Sequence, residues 1–348
     1  MTIKVLVVDD SALIRSLLSE IIKSEKDMVL IGPAQDAYVA RDLVNRYSPD
    51  VITLDIEMPK VDGLTFLEKL MKAYPTPVVM ISTLTEQGAN ATLRALELGA
   101  IDFIAKPKLG VAEGIEEYRQ LIVGKIRLAA SAKVKTPKHT AAKSNLILTY
   151  SGTEKIIAVG ASTGGTEAIR EFLTQLPANS PAVVITQHMP PGFTTSFAMR
   201  LNELCKISVH EAKGGERLLP GNAYLAPGNF HMVIERSGAD YRTRLLDTGR
   251  VSSHKPSVDV MFASLAKCAA QNTLAVIMTG MGKDGAAGMY ALHQNGAFTL
   301  AQDEASCVVF GMPREAINLG GVDKILPLNE LATWVVSHLQ KNNAGSRM

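Results

Sequence analysis

The chain has 348 residues, 47% of them hydrophobic, with a formal net charge of +2 and a pI near 8.3. That length suits two or three domains with sizeable cores, and the near-neutral charge gives no reason to expect a whole-protein surface for nucleic acid. Cys205, Cys268 and Cys307 are an odd set without paired metal spacing, no apolar run approaches the ~20 residues of a membrane span, and Met1-Thr2-Ile3-Lys4 opens no signal-peptide core. The expectation is a folded cytoplasmic protein in a reducing compartment that meets membranes only through a partner.

In chain order, Ile3 to Val8 reads as a strand running into Asp9-Asp10, and Val51-Ile52-Thr53-Leu54 runs into Asp55. Pro77-Val78-Val79-Met80-Ile81 ends at Ser82, and Ile101-Asp102-Phe103-Ile104-Ala105 leads to Lys106-Pro107. Helical periodicity at Ala12 to Ile22, Ala37 to Arg46, Leu64 to Lys72 and Ala89 to Leu98 separates these strands. Such alternation predicts a doubly wound sheet with right-handed crossovers, which collects the strand ends at one edge. Acids, a hydroxyl and a lysine gathered there form a kit for phosphorylating an aspartate. Asp55 is the candidate to attack a phosphoryl donor, with Lys106 neutralising charge and Ser82 bonding a phosphoryl oxygen. Clustered carboxylates repel one another unless a divalent cation joins them, and an all-oxygen, partly hydrated set suits Mg²⁺. Solvated acids at strand ends are the plainer reading of the same residues.

From Lys125 through Arg127, Lys133, Lys135 and Lys138 to Lys143 there is no acid, and alanine, serine and threonine replace the apolar periodicity. This reads as a basic flexible linker over 125–152, a solvated tether rather than a nucleic-acid contact.

Beyond it, Ile156-Ile157-Ala158-Val159 delivers Ser162 into a glycine-rich turn with the spacing Gly160-x-Ser162-x-Gly164. The spacing matches a nucleophile elbow, although the short pattern alone is more often plain turn and capping chemistry, so its partners must decide. Ala182 to Gln187 is a second apolar run ending at His188, and Leu274 to Thr279 leads through Gly280-Met281-Gly282-Lys283 to Asp284. If the strands are parallel neighbours, Ser162, His188 and Asp284 converge. A serine hydroxyl needs a base to take its proton and return it to the leaving group, and a carboxylate to fix the imidazole tautomer. The chain order Ser, His, Asp differs from the α/β-hydrolase order Ser, Asp, His. The Met281 N–H, flanked by glycines, is an oxyanion-hole candidate, and Thr163 an auxiliary one. His231 and His254 read as structural or surface residues. Lys213-Gly214-Gly215-Glu216 and Pro220-Gly221-Asn222 read as hairpin turns, predicting an antiparallel edge on a mostly parallel sheet. A Rossmann dinucleotide loop competes for the glycine-rich turn, but Ser162 replaces its middle glycine and no ribose-binding acid ends the next strand. A regulator whose C-terminal half binds DNA or a partner is the other alternative.

Residues 1–124 resemble the receiver domain of response regulators at Asp9, Asp10, Asp55, Ser82, Phe103, Lys106 and Pro107. Residues 153–348 resemble the chemotaxis protein-glutamate methylesterase (CheB) catalytic domain at Gly160 to Gly165, Gln187-His188-Met189, Leu225 to Gly228, His254 to Asp259, Thr279 to Gly285 and Gln302 to Cys307. The resemblance implies a flavodoxin-like receiver and two doubly wound α/β domains. It implies Mg²⁺ on Asp9, Asp10, Asp55 and the Glu57 main-chain carbonyl, a switch through Ser82, Phe103 and Lys106, and no cofactor for ester hydrolysis. The implied activity is phosphorylation-activated removal of methyl groups from glutamyl esters of chemoreceptors, with deamidation of receptor glutamines, in chemotaxis adaptation. A chemotaxis histidine kinase is the implied phosphodonor, the cytoplasmic domains of methyl-accepting chemoreceptors the substrate, and the unphosphorylated receiver the inhibitor.

Overall fold

The computed structural model describes residues 2–83, 85–106, 115–132, 134 and 154–345. Pro107 and most of the expected linker, including Lys133, Lys135, Lys138 and Lys143, lie outside the described residues. The chain divides into two compact units, Met1–His139 and Thr140–Met348.

The first unit alternates β1 (Ile3–Val8), α1 (Ala12–Ser24), β2 (Met28–Ala34), α2 (Ala37–Tyr47), β3 (Val51–Asp55), α3 (Gly63–Ala73), β4 (Val78–Ser82), α4 (Glu86–Glu97), β5 (Asp102–Ala105) and α5 (Ile115–Ser131). Every residue of β3 and β4 is buried, as a parallel strand covered by helices on both faces requires. Ser11, Asp36, Asp62 and Thr85 start α1 to α4 by accepting main-chain N–H groups of the first turn, so that α4 begins three residues before the expected Ala89. The strands pair in parallel in the order β2-β1-β3-β4-β5. This is the flavodoxin-like order, and it reverses between β1 and β3, where such sheets open a crevice for ligands.

The linker does not begin at residue 125. α5 runs on through Ser131 with Ile126, Leu128 and Ala129 buried. Its basic residues are bound: Lys125 Nζ donates to Asp102 Oδ1 at 2.6 Å, and Arg127 pairs with Asp27 and Glu25 at 2.7 and 2.8 Å. The absence of acids in this stretch reflects partners supplied from elsewhere in the fold.

The second unit contains β6 (Ile156–Ala161), α6 (Gly165–Thr174), β7 (Ala182–Gln187), α7 (Phe193–Leu204), β8 (Ser208–Glu211), β9 (Asn222–Leu225), β10 (His231–Ser237), β11 (Asp240–Leu246), α8 (Val258–Cys268), β12 (Thr273–Ile277), α9 (Ala286–Gln294), β13 (Phe298–Gln302), α10 (Met312–Asn318), β14 (Lys324–Leu326) and α11 (Leu328–Gly345). Seven strands form a parallel sheet in the order β14-β13-β12-β6-β7-β9-β8. β6, β7 and β12 are wholly buried at its centre, and Phe172 and Phe262 fill the helix-covered faces. The order reverses between β12 and β6, so the crevice of this sheet lies beyond the ends of its central strands.

An antiparallel hairpin is present, but not at the edge of the large sheet. β8 and β9 pair in parallel, with Val209 opposite Ala223. The first expected hairpin turn instead carries the chain along β11, through Gly215 N–H to the Thr243 carbonyl at 2.7 Å and Leu218 N–H to the Tyr241 carbonyl at 2.9 Å, while Gly221 in the second donates its N–H to the Ser180 carbonyl at 2.7 Å. The hairpin is β10–β11, a separate two-stranded sheet with His231 opposite Leu246. Among the described residues no helix is long and apolar enough to cross a membrane.

Candidate functional site

Each unit carries a constellation at its topological switch point. In the first, β1 delivers Asp9 and Asp10, β3 delivers Asp55, β4 ends in Ser82, and Lys106 follows β5. Lys106 Nζ donates to Asp55 Oδ2 at 2.7 Å and lies 3.3 Å from Asp9 Oδ2, the latter an ion-pair contact without hydrogen-bond geometry. Burial pushes the Asp55 carboxyl up to about 6, against the Lys106 hydrogen bond and with the Asp9 charge adding to the rise. Asp9 is also raised by burial, the nearby Lys106 charge opposing it. Burial works against the Lys106 ammonium, but Asp55 and Asp9 outweigh it and hold its pKa above the ordinary value. Acids this crowded and dehydrated call for a cation. One oxygen from each of Asp9, Asp10 and Asp55 lies within 4.8 Å of the others, and Asp9 Oδ2 is buried without a hydrogen bond, so the donor set fits a divalent, oxygen-seeking ion such as Mg²⁺. The Glu57 side chain is exposed, while its N–H donates to Asp55 Oδ1 at 3.4 Å. Ser82 Oγ is buried and donates to the Gly88 carbonyl at 3.2 Å. Phe103 is buried, with Met80 its register partner on β4.

In the second unit, β6 and β7 end in register, with Ala161 opposite Gln187, so Ser162 and His188 leave adjacent strands together. Two bonds fix that exit: His188 N–H donates to the Ala161 carbonyl at 3.2 Å, and Gln187 Nε2 donates to the Ser162 carbonyl at 2.9 Å. On the other side, Ser162 N–H donates to the Thr279 carbonyl at 3.0 Å, tying the turn to the segment that leaves β12. The glycines are dictated by crowding. A Cβ on Gly165 would fall 2.2 Å from Gln187 Oε1, and one on Gly280 would fall 2.7 Å from Ser162 Cβ. The main chain at Gly280 therefore passes against the serine, one residue before Met281. The Met281 N–H donates to no protein group among the described residues, and its side chain is exposed. Thr163 is buried, its carbonyl accepting from Thr279 Oγ1 at 3.0 Å.

Asp284 is 1% exposed and saturated with donors. Its Oδ2 accepts from His188 Nε2 and Val258 N–H, both at 2.7 Å, and its Oδ1 from Ser257 Oγ at 2.7 Å and Asp259 N–H at 3.2 Å. The main-chain donors are the first N–H groups of α8, so the carboxylate sits on a helix N-terminus. Burial alone would raise its pKa, but His188, Ser257 and the Val258 N–H prevail and hold it well below the usual carboxylate range. An ionised carboxylate only accepts hydrogen bonds, so His188 Nε2 must carry the proton. The neutral ring then has its lone pair on Nδ1, which is buried and unpartnered. A hydroxyl, an imidazole with one open nitrogen and a locked carboxylate are the parts of nucleophilic acyl transfer.

Sequence reasoning missed three supports. Gln187 steadies the serine turn. Ser257 both caps α8, accepting from Val260 N–H, and bonds Asp284; its signal was a serine directly before the apolar periodicity of Val258, Met261, Phe262 and Leu265. His254, read as structural or surface, stacks on the His188 ring. No local signal marks that contact, because it joins residues 66 positions apart across two loops.

Both units match known protein families. Residues 157–335 match the family model described as CheB methylesterase, and residues 5–113 match the response regulator receiver domain. A protein-glutamate methylesterase/protein-glutamine glutaminase 2 from Pseudomonas aeruginosa is 58% identical over 349 residues, covering 100% of both chains. A protein-glutamate methylesterase/protein-glutamine glutaminase from Salmonella typhimurium is 57% identical over 343 residues, covering 98% of each. The crystal structure of the Thermotoga maritima CheB methylesterase catalytic domain is 38% identical, with a TM-score of 0.52, and covers 54% of this chain and 99% of its own.

Proposed function

The chain belongs to the CheB methylesterase family, and from that membership we propose that Ser162, His188 and Asp284 hydrolyse glutamyl methyl esters of chemoreceptors under the control of phosphorylation at Asp55. The protein is a protein-glutamate methylesterase and protein-glutamine glutaminase of chemotaxis adaptation. Family membership sets aside the dinucleotide-binding and DNA-binding alternatives.

The observation that carries the assignment of residues is the hold on Asp284, which leaves Nδ1 as the basic nitrogen of His188 beside the exit of Ser162. Nδ1 takes the Ser162 proton as Oγ attacks the ester carbonyl, and the oxyanion that forms accepts from the Met281 N–H. The imidazolium returns the proton to the leaving oxygen, and methanol departs from a glutamyl–serine ester. Water, deprotonated by the same Nδ1, attacks that ester and frees glutamate and Ser162. A glutamine side chain follows the same path with ammonia as the leaving group. Thr163 holds the turn through its carbonyl.

In the receiver, the Asp55 carboxylate attacks the phosphoryl group of a histidine-kinase donor, and the bond from phosphorus to the donor breaks. Mg²⁺ on Asp9, Asp10, Asp55 and the Glu57 carbonyl supplies positive charge to the phosphoryl oxygens when bound. Lys106 and the Ser82 hydroxyl take the remaining oxygens, and Ser82, Phe103 and Lys106 relay the switch. The receiver spans 1 to about residue 131, the catalytic domain 153–348, and the unphosphorylated receiver restrains the esterase. The working place of the protein is the cytoplasm, at the membrane only through its receptor substrate. Methanol release from methylated receptor membranes, with and without Mg²⁺ and a small phosphodonor, tests the whole reading. Release that rises with phosphodonor and vanishes in Ser162→Ala is the expected result; release unaffected by Ser162→Ala overturns the triad, and release indifferent to phosphodonor overturns the control.

A further inference from the structure

Two imidazoles lie face to face beside Asp284. The His254 ring stacks on the His188 ring with centroids 3.7 Å apart and planes 7° from parallel. A tight turn delivers it there: Val251 and His254 exchange both main-chain hydrogen bonds, at 3.0 and 2.9 Å. The two residues between them, Ser252 and Ser253, are left-handed, with φ of 50° and 68°. Hairpin turns of this kind usually take Asn-Gly, because a Cβ is strained in that region, and such strain persists only where the surroundings enforce it. Here the enforcement is visible. The fully buried His231 accepts from Ser257 N–H at Nδ1, at 3.1 Å, and bonds the Gly249 carbonyl through Nε2 at 2.9 Å, so one ring fastens both ends of the segment that carries the turn. Ser257 at the end of that segment bonds Asp284. One loop thus grips the acid and lays a ring on the base.

We propose that His254 is a positioning residue for His188. The inference rests on His188 acting through Nδ1, as above. The bond from Nε2 to Asp284 is a single pivot, about which the imidazole can tilt. The face of His254 removes that freedom, fixes the plane in which the Nδ1 lone pair lies, and keeps water off one side of the ring. His188, His254 and Asp284 have ligand atoms within 4.8 Å of one another, a spacing that also suits a metal ion. Parallel stacked rings, however, hold their in-plane lone pairs in separate planes, and the pair does not converge on a tetrahedral centre.

The test uses the full-length chain with phosphodonor and methylated receptor membranes, comparing His254→Ala, His254→Gln and His254→Phe. Ala and Gln should lower kcat by about ten-fold or more with KM changed by less than about two-fold, because the defect lies in the aim of the base. Phe, which restores a flat face without the imidazole nitrogens, should recover most of the loss. The low-field NMR signal of the proton between His188 and Asp284 should broaden in Ala and return in Phe. If Ala fails to fold, the Phe and Gln pair carries the comparison. Ala and Gln variants within about two-fold of the parent kcat, or a Phe variant as impaired as Ala, overturn the proposal. Ser162→Ala and His188→Ala run alongside. Should either retain activity, the assignment of nucleophile or base falls and this inference with it; should both be inactive while His254→Ala is active, this inference falls alone.

Discussion

Asp284→Asn isolates what the carboxylate contributes. Its two oxygens accept four hydrogen bonds, two each, and asparagine offers one oxygen and one NH₂. If the NH₂ takes the place of Oδ2, it confronts His188 Nε2–H and Val258 N–H; the histidine must move its proton to Nδ1, and the base is lost. If it takes the place of Oδ1, Ser257 Oγ can turn to accept, but Asp259 N–H is stranded and the imidazolium loses its counter-charge. The first outcome is the wrong-tautomer defect that costs roughly 10⁴ in other triads, and the second retains the tautomer at a smaller loss, so kcat should fall by about 10²–10⁴ with KM little changed. Stability should fall as well. The fold holds the carboxyl well below its ordinary range, chiefly through the His188 hydrogen bond working against burial, so the ionised form stabilises the folded state. Because the folded pKa is depressed, that contribution is present above pH ~4 and is lost as pH falls through about 2. Methanol release with phosphodonor measures the first effect, and urea unfolding of the catalytic domain at neutral and acid pH the second. An Asn variant within about ten-fold of the parent kcat, or one as stable as the parent at pH 7, would refute this reasoning.

The raised Asp55 carboxyl has the opposite sign: the folded receiver holds that proton more tightly than the unfolded chain, so in the absence of divalent cation its contribution favours folding at low pH and is lost as pH rises through about 6. Asp55→Asn should therefore raise the receiver's thermal midpoint at pH 7 without cation, Mg²⁺ should raise the parent's midpoint but not the variant's, and phosphodonor should no longer stimulate methanol release from the variant. Gly165→Ala should push Gln187 off the serine turn and lower kcat at least about ten-fold, since its Cβ would meet Gln187 Oε1 at 2.2 Å. Gly124→Ala, in α5 with nothing within 4 Å of the added carbon, should stabilise the receiver by up to about 1 kcal/mol and leave activity unchanged. Ile126→Ala should destabilise the receiver by about 2–4 kcal/mol in thermal unfolding, because Ile126 is 0% exposed in α5; a neutral result would return residue 126 to the linker.

Local sequence carried the strand ends. Apolar runs of β length set between helical periodicities placed Asp9, Asp55, Ser82 and Lys106 at one edge of a five-stranded sheet, and Ser162, His188 and Asp284 beyond the strands of another. Helical periodicity located the starts of α1 and α2 and that of α3 to within one residue, whereas α4 begins at Glu86, three residues before Ala89, because Thr85 caps a first turn that lacks the apolar pattern. What local pattern could not reach was any property set by a distant partner. The basic run at 125–131 looked like a tether because the acids that neutralise it, Asp102, Asp27 and Glu25, lie elsewhere in the chain. The glycine turns between β8 and β9 looked like hairpins, yet the chain between them spends its hydrogen bonds on β11 and the two strands run parallel. Within the site, sequence named the serine, the histidine and the aspartate. Only the tertiary structure decided which ring nitrogen carries the proton, because that follows from where α8 presents its N–H groups and Ser257 to Asp284, and only it could lay His254 on His188. Residue types follow from the chain read in order, whereas tautomer, ionisation and ring orientation are fixed by groups that meet through folding.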